Sequence, residues 1–75
     1  MTAVEVLFRY GAQPGERTMS AYGTLNDVYG IRRMRLAERE RTIRVEYDAT
    51  RLTEAKVEML LRAAGFDITE KLALV

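Results

Sequence analysis

The run Thr42-Ile43-Arg44-Val45-Glu46-Tyr47-Asp48 alternates β-branched or aromatic residues with charged ones. A period of two gathers the apolar set on one side only if the segment is an extended strand. A helix would scatter Ile43, Val45 and Tyr47 around its circumference, so the segment must be a half-buried strand. The same period recurs near the start, where Val4, Val6 and Phe8 alternate with Glu5, Leu7 and Arg9. Ile31, Met34 and Leu36 lead into the polar tip Glu38-Arg39-Glu40-Arg41, which predicts a hairpin joining two strands. Phe66 to Val75 supplies a last, weakly patterned strand.

Elsewhere the period lengthens. Ala21, Leu25 and Val28 recur at helical spacing, with Met19, Tyr22 and Tyr29 beside them, and Gly30 is placed to cap the end. Gly23 weakens this helix slightly. Ahead of it, Gly11-Ala12-Gln13-Pro14-Gly15 holds two glycines and the only proline of the chain, which marks a loop. Thr53 is placed to cap a second helix whose stripe is Val57, Leu60, Leu61 and Ala64, and Gly65 is its natural stop.

The order is strand, helix, strand, strand, helix, strand, with no linker or low-complexity stretch, so residues 1–75 form one domain. The expected fold is α+β: a ferredoxin-like βαββαβ sandwich, a four-stranded antiparallel sheet with two helices on one face. Right-handed crossovers place the first and third strands centrally and the second and fourth at the edges. A chain of 75 residues buries only about 60% of the surface it would expose unfolded. Its stability margin is thin, and pairing of an edge strand with a second copy is one way to widen it.

Composition narrows the chemistry. The chain has no cysteine and no histidine, which removes disulfides, thiolate nucleophiles, imidazole bases and the usual zinc ligands together. Twelve basic against 11 acidic residues give a net charge of +1, too little for a global field that draws the protein to nucleic acid or an anionic membrane. Asp48, Asp67 and Glu70 are scattered near element ends, and Ser20 lacks a base, so no catalytic residues are assigned and an enzyme is not expected. No apolar run approaches the roughly 20 residues of a membrane span, and the opening MTAVEVLFRY lacks a leader pattern. A cytoplasmic location is the expectation.

Gly11, Gly30-Ile31, Met34, the run Thr42 to Asp48, Leu52-Thr53 and Ala64-Gly65-Phe66-Asp67 resemble, in identity and spacing, the heavy-metal-associated domain of copper chaperones and P-type ATPase N-terminal modules. The likeness covers nearly the whole chain, and "TIRVEYD" followed by "AAGFD" is its most specific part. The resemblance implies a loop after the first strand that presents two thiolates to a soft metal. Here Ala12 falls at that loop's methionine, and Pro14 and Arg17 fall at its cysteines. Neither donates a thiolate and Arg17 repels cations, so no metal ligands and no cofactor are expected. Phe66 matches an aromatic wall of the loop, though an ordinary place at the core edge is the favoured explanation of it.

The expected function is that of a divergent domain that lacks the metal pair and acts as a small protein-interaction or regulatory module, bound to a protein partner or to its own copy. The family docks domain on domain through the loop and first helix, which points to Gln13, Gly15, Glu16, Arg17, Tyr22 and Phe66 as the interaction or anion loop. Tyr10 and Tyr29 are further candidate contacts. A helix N-terminus with Arg17 beside it favours an anion or acidic peptide, and Glu16 opposes that.

Two other readings stay open. One is metal handling, through unusual ligands or a metal-binding partner; the thioethers of Met1, Met19, Met34 and Met59 are the available donors, yet none are paired at loop spacing. The other is nucleic-acid binding by Arg32, Arg33, Arg35, Arg39, Arg41 and Arg44, with Arg33, Arg35 and Arg44 on the open sheet face. Interleaved Glu5, Glu38, Glu40 and Glu46, and the lack of exposed stacking aromatics, favour a salt-bridge ladder there instead.

Overall fold

A computed structural model describes residues 2–74. The elements follow the order β1 (Ala3–Tyr10), α1 (Glu16–Leu25), β2 (Ile31–Ala37), β3 (Thr42–Asp48), α2 (Glu54–Ala64) and β4 (Ile68–Leu72). The four strands form one antiparallel sheet in the order β2-β3-β1-β4. This is the ferredoxin-like arrangement, with β3 and β1 central and β2 and β4 at the edges.

The alternation seen in the sequence translates directly into register. Val4 lies opposite Tyr47, Val6 opposite Val45 and Phe8 opposite Ile43, so one face of the two central strands is apolar throughout. Val57 and Leu61 of α2 and Leu25 of α1 close over that face; Phe8, Ile43 and Val45 are wholly buried. Burying a side chain of this size contributes roughly 1.5–3 kcal/mol, which in a small chain makes the central strands the main source of stability.

The second helix obeys its sequence signals. Thr53 Oγ1 accepts from the Lys56 amide at 3.1 Å, filling one of the donors a helix start leaves open. Gly65 ends the helix at φ 112°, a left-handed conformation in which a side chain is strained. The position is also tight, because a Cβ there would collide with the Thr18 hydroxyl of α1.

The first helix departs from expectation. It ends at Leu25, with Asn26 as its C-cap, and Val28 lies in a turn whose amide donates to the Leu25 carbonyl at 3.0 Å. Gly30 caps nothing: at φ 104° it turns the chain into β2, with the Leu52 side chain against it. Asn26 and Asp27 compete locally for backbone hydrogen bonds and have low helix propensity. Helical spacing therefore continued in the letters beyond the helix itself.

The last strand is shorter than the stretch from Phe66 to Val75. Phe66 and Asp67 are connector residues, the strand is Ile68–Leu72, and Val75 lies outside the described residues. No helix among the described residues is long and apolar enough to cross a membrane.

Candidate interaction surfaces: the loop after β1 and the open sheet face

The loop Gly11 to Gly15 leaves β1 at the point where β4 and the β2–β3 hairpin tip both reach it. The Gly11 amide donates to the Asp67 carbonyl at 2.9 Å, and the Ala12 amide donates to Asp67 Oδ2 at 3.1 Å. From the other side Arg41 Nη1 donates to the Gly11 carbonyl at 2.8 Å. Arg41 itself sits at φ 55°, a sparsely populated conformation for a residue with a Cβ, and its carbonyl accepts from Tyr10 N at 2.9 Å. Contacts from two distant segments thus fix the start of the loop.

Most residues beyond that start, through the first two of α1, are exposed. Gln13, Gly15, Glu16 and Arg17 are exposed, and Pro14 is half-buried. Gly15 occupies the N-cap of α1 without a side-chain cap, so the helix start keeps its open donors and positive dipole end. Glu16 stands in the first turn and partly offsets that field. Among the described residues Arg17 forms no ion pair.

Behind the loop lies an aromatic cluster. Phe66 packs between Tyr10, at 5.8 Å between ring centroids, and Tyr22, at 6.0 Å and near edge-on, an arrangement aromatic quadrupoles favour. Phe66 is buried, so it belongs to the core and presents no contact area to a partner. Tyr22 is half-buried on α1, and burial pushes its phenol above the usual tyrosine range. Tyr10 is buried too, and its hydroxyl finds no hydrogen-bond partner among the described residues. Burial raises the Tyr10 phenol, Glu38 adds to that, and Arg41 opposes it.

The structure separates the other candidates. Tyr29 is 71% exposed and lies under the Arg51 guanidinium, 4.4 Å from ring centroid to Cζ. Met34 packs against the core, Met19 and Met59 are exposed, and Met1 lies outside the described residues. Among the described residues no group of three or more His, Cys, Asp or Glu gathers in one place. Asp48 caps a turn: its Oδ1 accepts from the Thr50 hydroxyl at 2.7 Å and the Thr50 amide at 3.0 Å. These two bonds, aided by the Thr2 amide region and Arg51 and opposed by burial, hold its carboxyl below the usual range.

On the open face, Glu5, Arg33, Arg35, Arg44 and Glu46 line a shallow hollow of about 70 Å³. Only part of the expected ladder forms. Arg44 pairs with Glu5 at 3.5 Å, and Arg9 with Glu70 at 3.0 Å. Arg35 stands directly opposite Arg44, and Arg33 opposite Glu46, yet neither Arg33 nor Arg35 forms an ion pair among the described residues. Sequence reasoning placed these arginines on the correct face but could not tell paired from unpaired, since pairing depends on strand register.

No model of a known protein family matches this chain, and no curated protein matches it.

Proposed function

We propose that this protein is a small protein-interaction or regulatory module, built like a heavy-metal-associated domain but without that domain's metal-binding pair. One observation carries the reading. The start of the loop after β1 is held by Asp67 and Arg41, and the positions matching metal ligands carry Pro14 in the loop and Arg17 in the first turn of α1. A loop anchored at its start and leading into an open helix start with an exposed cation suits recognition of a partner's acidic group. It offers copper(I) no thiolate or imidazole. A cytoplasmic setting and a role other than catalysis are part of the proposal.

Two measurements test it together. In competition with a strong copper(I) chelator the protein should retain no metal. Capture from native lysate should yield a partner that is held by the unaltered chain and released by Arg17→Glu. Stoichiometric copper retention, or capture indifferent to the loop substitution, would overturn the reading.

A further inference from the structure

The geometry points to a second docking surface, the free edge of β2, which takes an extended acidic segment of a partner protein as an added strand. This goes beyond the loop reading and rests on different residues. Among the described residues β2 is an edge strand that pairs with β3, so the outer side of its Arg33–Ala37 stretch faces no further strand of the sheet. Its regular stretch runs from Arg33 to Ala37, after the irregularity that follows Ile31.

The side chains select the occupant. Arg33 and Arg35 are exposed on the open face, beside Arg44 of β3, which lies directly opposite Arg35. Like charges set opposite each other on neighbouring strands repel. A carboxylate arriving on an added strand would lie on the outer side of β2, next to the Arg33 and Arg35 guanidinium groups, and would supply the countercharge that no ion pair among the described residues gives them. On the other face Met34 and Leu36 are half-buried and pack against the core, leaving apolar surface at the edge for an apolar partner residue. Residues directly opposite in paired strands share a face. The matching sequence is therefore acid, apolar, acid, with carboxylates at alternate positions facing Arg33 and Arg35.

Two symmetric registers of a second copy are disfavoured by charge. An antiparallel β2 pair centred on Met34 sets each Arg33 against Arg35 of the copy, and one centred on Arg35 sets that residue against itself. The opposite edge offers no equivalent. The charges of β4 are already neutralised, Glu70 by Arg9 at 3.0 Å and Lys71 by Glu54 at 2.9 Å.

The probe is a short blocked peptide alternating glutamate with valine, titrated into the protein while amide shifts are followed by heteronuclear NMR. Shifts should concentrate on β2. Arg33→Glu with Arg35→Glu should weaken binding by at least about tenfold. Replacing the valines by proline, which keeps the charge and removes the amide donors, should abolish it. Because both arginines are exposed the double variant should remain folded, and Arg33→Gln with Arg35→Gln gives a milder check. Absence of saturable binding would overturn the inference, as would equal binding of the proline peptide or tighter binding of an oligouridylate. Shifts confined to Gly11 to Arg17 would overturn it while leaving the loop reading intact.

Discussion

Asp67 holds Ala12 from the entry to the neighbouring strand β4: its carboxylate oxygen lies 3.1 Å from the Ala12 amide, and its own carbonyl takes the Gly11 amide at 2.9 Å. Removing that side chain frees one end of the loop without touching the core. Asp67→Ala should cost about 1 kcal/mol, the net worth of one such hydrogen bond. Hydrogen exchange at Ala12 should quicken well beyond the change in global stability. Unaltered exchange there would show that Arg41 and the main-chain bond from Gly11 to Asp67 suffice to fix the start of the loop.

Two glycines should respond to alanine in opposite directions. Gly23 is exposed within α1, with open space where a Cβ would go, so Gly23→Ala should stabilise by about 0.5–1 kcal/mol through helix propensity. Gly65 has φ 112° and Thr18 in the way. Gly65→Ala should destabilise by roughly 1–3 kcal/mol. Urea unfolding of the pair of variants reads both signs.

Burying the Tyr10 hydroxyl without a partner works against folding, because the group loses its hydrogen bonds to water and gains none. Tyr10→Phe keeps the ring contact with Phe66 and removes the orphan atom. The variant should be at least as stable as the parent, by up to about 1 kcal/mol. A clear loss in thermal or urea unfolding would mean the hydroxyl has a partner.

Asp48 links stability to acid. Its folded carboxyl is held below the ordinary value by the Thr50 bonds first, then by Thr2 and Arg51. A depressed folded pKa contributes stability that is fully present above the unfolded carboxylate pKa, about 3.9. That contribution fades as pH falls through the lower folded value. Asp48→Asn should therefore be less stable than the parent at neutral pH, with the gap closing in melts taken below about pH 4. A gap independent of pH would assign the effect to geometry instead of charge.

The short-range signals carried most of the fold. Period-two alternation in Val4 to Phe8 and Ile43 to Tyr47 fixed which faces are buried, since a strand turns its side chains to opposite sides at every step whatever surrounds it. Thr53 and Gly65 bounded α2 because capping is decided within a few residues of the helix end. Those physical causes are local, so they can be read in order along the chain.

What the tertiary structure decided comes from contacts between distant segments. The turn at Gly30 into β2 is set against the Leu52 side chain, 22 residues further along the chain. The loop after β1 owes its shape to Arg41 and Asp67, which lie 30 residues from Gly11 and 55 residues from Ala12. The register sets Arg35 opposite Arg44, and ion-pair geometry satisfies Arg44 while leaving Arg35 without a partner among the described residues. Composition fixes how many charges a chain has, but the balance of each depends on distances of a few ångströms that exist only once the strands have paired.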